Sequence, residues 1–206
     1  MTYEGRADAD HDLDDAAVIQ LSRREPEQFT LLFRRHAPHI QRYVTRRLGP
    51  DEADDIVAET FLLAFRQRER YDQSRADARP WLYGIATNLI GHHRRAEVRL
   101  YRALARQRSF DMRADPITEP FTDRVDDRVS ASTASRRLAT ALARLSAELR
   151  DTLLLVAWGD LSYDEAATAL GVPVGTVRSR LNRARSRLRR TLGDANPAAM
   201  HEESPA

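Results

Sequence analysis

The sequence predicts an all-α protein made of two small helical domains joined by a flexible linker. Strand signals are nearly absent along its 206 residues, whereas apolar residues recur with the period of a helix. Residues 109–135 interrupt that periodicity with two prolines, five aspartates and a Ser/Thr run, a composition typical of a linker. Residues 161–191 then have the spacing of a helix-turn-helix. We expect a disordered acidic N-terminus over 1–15, a first domain over 16–108, the linker over 109–135, a second domain over 136–192 and a disordered tail over 193–206.

Prolines, glycines and an aspartate delimit the helices expected in the first domain, because proline suits the first turn of a helix and glycine its end. The segments expected to be helical are 16–24, 26–48 with a potential kink at Pro38, 51–70, and 80–95 with an extension toward 108. Pro26 and Pro80 are placed to open two of these helices, and Asp51 is the expected N-cap of the helix between them. A polar loop over 71–79 precedes the last one.

Four helices are expected in the second domain, near 136–145, 147–158, 162–170 and 174–191. Ser162, followed three residues later by Glu165, makes a capping box at the start of the third. Gly171 then breaks the helical pattern, and Pro173 suits the first turn of the last helix. The last two helices and the short turn between them form the predicted helix-turn-helix.

The last of these helices combines a buried stripe with an arginine-rich outer face. The stripe, with spacings of four, three and four, comprises Val177, Leu181, Ala184 and Leu188. Residues 171–192 contain seven arginines and no acid, and a face with that charge and short hydrogen-bonding side chains suits the major groove of DNA. The alternative is a solvated helix at the end of a bundle, but such a surface is expected to carry i,i+4 ion pairs, which are not available here. The candidate DNA-reading residues are Thr176, Arg178, Ser179, Asn182 and Arg183.

The helix expected over 51–70 carries acids and leucines together on the side opposite its core stripe. The core stripe comprises Val57, Phe61, Ala64 and Phe65. Leucines exposed beside acids are more typical of a protein interface than of a plain solvated surface. The alternative is that another helix of the same domain covers these leucines. We call the candidate interface the mixed face; it comprises Asp54, Asp55, Glu59, Leu62 and Leu63.

The helix expected to start at Pro80 spreads aromatic, hydroxyl, amide and guanidinium groups over the side opposite its apolar stripe. Single-stranded DNA needs such groups, because bases stack on an aromatic ring at about 1–3 kcal/mol each while arginines hold the phosphates. The candidates are Tyr83, Thr87, Asn88, Arg94 and Arg95. Trp81 could stack on a base or pack in the core, and core packing is the favoured alternative.

The formal net charge is only +2, but charge is distributed in blocks. Residues 1–15 carry six acids and one arginine, for −5, and 111–127 carry six acids and two arginines, for −4. Residues 92–108 carry six arginines and one glutamate, for +5. Together with the last helix, these blocks indicate at least two phosphate-facing surfaces with anionic spacers between them.

Several function classes are excluded by what the sequence lacks. It has no cysteine, which excludes disulfides, thiol catalysis and cysteine-ligated zinc. Its longest apolar run, Leu153 to Trp158, is six residues and too short to cross a bilayer, and its acidic start does not resemble a signal peptide. No nucleophile, phosphate-loop or metalloprotease motif is present. We therefore expect a cytoplasmic protein that is not an enzyme, has no catalytic residues, uses no cofactor and does not insert into membranes.

The histidines are not expected to bind metal. His92 and His93 are adjacent, and neighbouring helical residues point about 100° apart, so the pair cannot chelate one ion. His36 and His39 are three residues apart, but no carboxylate partner is evident and both are expected at the surface.

Four stretches, in this order, resemble the extracytoplasmic-function (ECF) group of bacterial sigma factors, within the sigma-70 family. They are FRRHAPHIQRYVTRRLG (33–49), DDIVAETFLLAF (54–65), RPWLYGIATNLIGHHRR (79–95) and GDLSYDEAATALGVPVGTVRSRLNRARSRLR (159–189). The last stretch is the most specific, and the combination is far more specific than any single piece. With the linker, these stretches account for most of residues 25–192.

The resemblance implies a two-domain protein, with a sigma region 2 bundle followed by a region 4 helix-turn-helix, that makes RNA polymerase initiate at particular promoters. It implies that 54–65 docks on the clamp helices of the largest polymerase subunit, and that 79–95 with the preceding loop opens and reads the −10 element. The helix-turn-helix would read the −35 element and pack on the polymerase flap. The implied partners are core RNA polymerase, double-stranded and melted promoter DNA, and an anti-sigma factor wedged between the domains.

A stand-alone transcription regulator, whose helix-turn-helix binds an operator directly, is the alternative function. A regulator would carry a ligand pocket or a phosphoacceptor in its first half. The mixed face, followed by an aromatic and arginine-rich helix, favours the sigma factor instead. A pure protein-interaction module would leave the seven arginines of 171–192 unexplained.

Overall fold

The computed structural model of the chain describes residues 13–106 and 134–192. Within these ranges the chain forms nine α-helices and no strand, which confirms the all-α class. The helices are α1 (Asp15–Leu21), α2 (Phe29–Leu48), α3 (Pro50–Gln67), α4 (Arg79–His92), α5 (Arg94–Arg106), α6 (134–144), α7 (Ala147–Ala157), α8 (Tyr163–Leu170) and α9 (Val174–Leu192). In the described ranges, every helix is too short or too polar for a membrane span. The predicted tail, most of the predicted acidic N-terminus and all but the end of the predicted linker lie outside the described residues.

Two helices of the first domain start earlier than expected. α1 starts one residue earlier than expected because the Asp14 carboxylate accepts a hydrogen bond from the Ala17 amide at 2.7 Å and caps the helix. α3 starts directly after Gly49, whose φ of 95° is accessible to glycine and ends α2. Pro50 then occupies the first turn of α3, so the prediction that Asp51 is the N-cap is wrong.

The helix predicted from Pro80 toward Arg108 is in fact two helices. α4 ends at His92, and His93, with φ −91° and ψ 17°, leaves the helical conformation before α5 begins. The break redirects α5 onto α2, where it buries Glu97 and Tyr101.

Helices α2, α3 and α4 form the core of the first domain, with α1 and α5 packed on α2. The aliphatic residues at its centre are almost completely buried and include Leu32, Ile40, Val44, Ile56, Leu82 and Ile90. α2 continues through Pro38 as one helix of 20 residues. Packing on α2 places α3 and α4 side by side, and each of these two helices has an outer face turned away from the core.

Asp15, at the start of α1, connects that helix to α2 and to the loop before α4. Its carboxylate accepts hydrogen bonds from Arg35 Nη1 (3.0 Å) and the Ala78 amide (3.0 Å), and its Oδ2 lies 2.7 Å from His36 Nε2. Burial alone would raise the pKa of this carboxyl, but the hydrogen bonds from His36 and Ala78 outweigh burial and hold the pKa below its ordinary value. Two predictions are therefore wrong: Asp15 is not part of a disordered segment, and His36 is buried rather than on the surface.

The second domain contains the predicted helix-turn-helix. Ser162 Oγ accepts a hydrogen bond from the Glu165 amide (3.2 Å), and the Glu165 carboxylate accepts one from the Ser162 amide (2.7 Å), so the capping box is present. Gly171 ends α8 in the left-handed conformation, at φ 62°. α9 then packs on α7 and α8 through its inner face, where Val177, Leu181 and Ala184 are buried.

The two domains pack against each other, which the sequence analysis does not predict. α4 of the first domain contacts α8 and α7 of the second, and the buried apolar residues of both domains form one continuous cluster. Gly84 of α4 lies against Ala169 of α8 so closely that an added Cβ would be 2.6 Å from the Ala169 carbonyl oxygen. The part of this face around Tyr83, which is expected to meet DNA, therefore meets the second domain.

Candidate nucleic-acid interface

The outer face of α9 presents the predicted DNA-reading residues to solvent. Of these residues, Thr176 is half-buried, and the exposed ones are Arg178, Ser179, Asn182 and Arg183. Because the apolar stripe holds the inner face against α7 and α8, the outer face is fixed in orientation. A helix whose polar face is both rigid and exposed can enter a DNA groove without rearranging its own domain.

The arginines of α9 are largely unneutralised. Among the described residues, Arg180 is the one arginine of α9 with an ion pair, to the Glu148 carboxylate at 3.4 Å. Arg178 and Arg183 carry no such pair there and remain available for phosphates or base edges. Ser179 Oγ donates to the Thr176 carbonyl (3.0 Å), which leaves its oxygen free to accept a hydrogen bond.

The mixed face lies on the outer side of α3, as predicted. Its acids are exposed, and the Asp54 carboxylate accepts a hydrogen bond from Gln41 Nε2 at 2.7 Å. Leu62 is 47% exposed, so no helix in the described part of the chain covers it. Leu63 is half-buried and packs partly on the core. The alternative, that other parts of the same domain cover the leucines, therefore applies only to Leu63.

Phe33 extends the apolar part of this surface, and the sequence analysis missed it as a surface residue. Its side chain is 45% exposed, and its ring lies 4.8 Å from the Phe61 ring in an edge-to-face arrangement. Phe33 falls among the apolar positions of α2, which hides its exposure in the sequence. An exposed aromatic ring packed on Phe61 of α3 adds apolar area to this side of the domain, as a protein interface needs.

Two of the residues predicted to meet single-stranded DNA are buried in this structure. Tyr83 is 2% exposed, with its ring 5.0 Å from the Tyr43 ring and covered on another side by Gly159 of the second domain. Thr87 is 4% exposed, and its hydroxyl lies in a hydrogen bond of 3.0 Å with that of Tyr43. The prediction that both stand on an exposed face is therefore wrong for this conformer; the other candidates are exposed, namely Asn88, Arg94 and Arg95.

A cleft of about 330 Å³ lies between the domains beside this face. Trp81 and Tyr71 form part of its wall, with ring centroids 4.9 Å apart, and Asn88 lies at its edge. Trp81 is half-buried and packs against the core, so the expected core packing is found in part. Thr168 and Ala169 of α8 close the other side of the cleft.

Asp15, His36 and Asp77 bring three potential metal ligands within 4.8 Å of one another. The Asp15 carboxylate already accepts hydrogen bonds from Arg35 and the Ala78 amide. The guanidinium of Arg35 beside the Asp15 carboxylate disfavours a bound cation. The contacts of Asp15 instead connect α1 to α2 and to the loop before α4.

Known families match both domains. The family described as Sigma-70 region 2 matches residues 32–100, and the family described as Sigma-70, region 4 matches residues 135–188. The ECF RNA polymerase sigma factor SigL of Mycobacterium tuberculosis is 35% identical over 178 residues, which are 86% of this chain and 96% of that protein. The ECF RNA polymerase sigma factor SigE of Mycolicibacterium smegmatis is 34% identical over 161 residues, 77% of this chain and 59% of that longer protein.

Solved structures share the fold. The structure of CnrH in complex with the cytosolic domain of CnrY has a TM-score of 0.59 and 22% identity, and covers 88% of this chain and 99% of that one. The structure of the sigma factor RpoE in complex with the anti-sigma factor NepR from Bartonella quintana has a TM-score of 0.54 and 22% identity, with 82% and 99% covered. The likeness spans both helical domains, not the helix-turn-helix alone.

Proposed function

The chain belongs to the ECF group of the sigma-70 family and directs transcription initiation by RNA polymerase, and from that premise we propose how its surfaces divide the work. Sigma factors bind core polymerase and promoter DNA, and the chain is a sigma factor and not an enzyme. In our proposal the second domain reads the −35 element, the mixed face docks on core polymerase, and the α4 face with its preceding loop reads the melted −10 element. The observation that carries this division is that three chemically different surfaces lie on different helices: α9, α3, and α4 with the start of α5.

The outer face of α9 is proposed to read the −35 element in the major groove. Arginine can bond both acceptors of a guanine edge, and asparagine can bond an adenine edge in the same bidentate way. Arg178, Asn182 and Arg183 project from the same face and are exposed. The remaining arginines of α9 would hold phosphates and supply affinity without sequence preference.

Replacing Arg178 by alanine is expected to cost about 1–3 kcal/mol of discrimination at one position of the −35 element. The measurement is the affinity of the holoenzyme for a set of promoters that vary one −35 base pair at a time. Arg189→Ala, at an exposed position on the last turn of α9, is the matched control and should weaken all promoters by a similar factor. Uniform weakening by Arg178→Ala would assign Arg178 to a phosphate contact instead.

The mixed face is proposed to dock on the clamp helices of the largest polymerase subunit. Leu62 and Phe33 supply exposed apolar area, and the acids around them supply charge that sets orientation and excludes wrong partners. The flap of the polymerase is the proposed second contact, on the helix-turn-helix domain.

The face of α4 is proposed to hold the melted −10 strand once the second domain has moved off it, because α8 forms the other wall of the cleft in this structure. Asn88, Arg94 and Arg95 are exposed and can bind bases and phosphates, while Trp81 and Tyr83 are the aromatic rings on which bases can stack. Tyr83 becomes available only if the second domain moves away, because Gly159 covers it here.

An anti-sigma factor is the third proposed partner. The similar structure of RpoE from Bartonella quintana is a complex with the anti-sigma factor NepR. We expect such a protein to bind this chain in the cytoplasm, where polymerase and promoter DNA are found, and to compete with core polymerase for it.

The second candidate function is a stand-alone transcription regulator. The helix-turn-helix domain by itself would fit that function equally well. The mixed face favours the sigma factor, because exposed Leu62 beside acids fits a docking surface for a larger protein partner.

A further inference from the structure

A row of basic side chains follows one side of α2 and belongs neither to the mixed face nor to the α4 face. We call it the basic stripe; it comprises His39, Arg42 and Arg46. All three residues are exposed. Their spacings of three and four residues place them on one side of the helix, about 4.5 and 6 Å apart along its axis. The basic stripe is therefore an accessible, nearly straight row of donors.

The positive charge of α2 is not balanced within the helix. Residues 29–48 contain five arginines, two histidines and no acid, so no i,i+4 ion pair can form along α2. Arg35 is neutralised from another helix, by the Asp15 carboxylate at 3.0 Å. In the part of the chain that the structure describes, Arg42 and Arg46 have no ion pair. The basic stripe thus carries charge that the described residues leave without a counter-charge.

Two members of the basic stripe are in direct contact. Arg42 Nη2 donates a hydrogen bond to His39 Nδ1 at 2.7 Å, because a guanidinium has no acceptor of its own. The imidazole is therefore neutral, and its Nε2 carries the proton and can donate to another group. Partial burial and the positive charges of Arg42 and Arg79 lower the pKa of His39. Basic groups that converge in this way form a surface that a bound anion would stabilise.

Arg79, at the start of α4, connects the basic stripe to the α4 face. Its charge acts on His39 of the stripe, and its guanidinium carbon lies 5.9 Å from the centre of the Tyr83 ring. Its Nε is buried and has no hydrogen-bond partner among the described residues. The α4 face and the basic stripe are therefore contiguous around Arg79.

We propose that the basic stripe is a further nucleic-acid site, which holds the sugar-phosphate backbone of the single strand beyond the bases read by α4. This inference rests on the function proposed for the α4 face. The basic stripe offers donors and positive charge but no aromatic ring, so it suits phosphates and not the stacking of bases. It therefore adds affinity for the melted strand without adding sequence preference.

The position of the basic stripe favours a nucleic-acid strand over an acidic protein as its occupant. The stripe is contiguous with the surface proposed to hold melted DNA. The surface proposed to dock on polymerase reaches α2 elsewhere, through the contact of Phe33 with Phe61 of α3. Phe33 and the basic stripe are separated by about 120° or more around α2. A protein seated on the mixed face would therefore leave the basic stripe open to DNA.

The test uses the holoenzyme formed from the full chain and core polymerase, and measures its affinity for fluorescent single-stranded DNA. One probe carries only the −10 element of a promoter that the holoenzyme transcribes, and two others extend it by a run of thymidines on the 5′ side or on the 3′ side. We expect one extension to raise the affinity, and the double substitution Arg42→Gln with Arg46→Gln to remove that gain. The slope of log affinity against log salt should fall in magnitude by about 1.4, which is about 0.7 for each of two phosphates.

Arg24→Gln with Arg34→Gln is the matched control, since it removes the same charge from exposed positions outside the basic stripe. Arginine and glutamine have similar helix propensities, so neither double variant is expected to unfold the first domain. The control should keep the gain from the extension. No gain from either extension in the parent, or an equal gain in the parent and in Arg42→Gln with Arg46→Gln, would overturn the site.

Neutral methylphosphonate linkages in the extension identify the group that is contacted. They should abolish the gain in the parent and have no further effect in Arg42→Gln with Arg46→Gln, whereas two independent losses that add would contradict a phosphate contact. Affinity for core polymerase is measured in parallel. Weaker core binding by this double variant, with an unchanged gain from the extension, would assign the basic stripe to a protein partner and overturn the inference.

The unextended probe separates this inference from the function on which it rests. If the parent holoenzyme does not bind the unextended probe, the function proposed for the α4 face fails, and the inference fails with it. If the unextended probe binds equally to the parent and to Arg42→Gln with Arg46→Gln, and only the gain from the extension differs, both are supported.

Discussion

Replacing Leu62 by arginine is expected to weaken binding of the chain to core RNA polymerase severely while leaving its fold intact. Leu62 is 47% exposed on the mixed face, so the substitution leaves the core of the free chain intact. At an interface it places a desolvated charge against apolar partner surface, which we expect to weaken binding by about 30-fold or more, the effect of losing about 2 kcal/mol. The measurement is the dissociation constant of the chain and core polymerase.

A matched control separates loss of the docking surface from the added charge. Leu104→Arg introduces the same side chain at a position that is 41% exposed on α5, away from the mixed face, and should bind core polymerase as the parent does. Circular dichroism checks that both variants remain helical. Unchanged binding by Leu62→Arg would assign core docking to another surface.

Replacing Glu97 by alanine is expected to destabilise the folded chain by about 3–5 kcal/mol, because removing one partner of a buried ion pair leaves an uncompensated charge. Glu97 is 2% exposed and contacts two arginines, Arg47 at 2.6 Å and Arg150 at 2.7 Å. Its loss leaves two guanidinium groups facing the single carboxylate of Asp151. Arg47 keeps its pair with Asp151, whereas Arg150 keeps only two backbone carbonyls, so both domains are expected to lose stability.

Urea unfolding followed by tryptophan fluorescence can assign the loss to a domain, because Trp81 and Trp158 lie in different domains. A Trp158→Phe background restricts the signal to the first domain. Glu148→Ala removes a carboxylate that is 73% exposed and pairs only loosely with Arg180, so it should change stability by less than about 1 kcal/mol. A loss from Glu97→Ala as small as that would show that water reaches the group of four charges formed by Arg47, Glu97, Arg150 and Asp151.

Local sequence patterns predict most of the secondary structure. The capping box at Ser162 and the left-handed Gly171 depend only on residues a few positions away in the sequence. Both are found in the helix-turn-helix at the predicted positions. The stripe of α9 is likewise local, since one helical period decides which side is buried. The outward orientation of Arg178 and Leu62 follows from the same periodicity.

Contacts between distant residues could not be predicted from these patterns. The partner of His36 is Asp15, 21 residues away on another helix, and no spacing within α2 indicates it. Arg47 pairs with Asp151, which is 104 residues away in the second domain, so this ion pair depends on how the two domains pack. Tyr83 and Thr87 are polar enough for a surface helix, yet Tyr43 and the second domain bury them. That part of the polar side of α4 is covered is therefore a long-range feature, which the local pattern does not indicate.

Run-off transcription tests the central claim most directly: purified chain and core RNA polymerase are combined on a library of candidate promoter fragments. The account predicts that core alone is silent, that the chain with core initiates at a discrete set of promoters, and that Leu62→Arg restores silence. Silence of core with the parent chain, together with protection of a symmetric operator by the chain alone, would contradict the account and favour a stand-alone regulator.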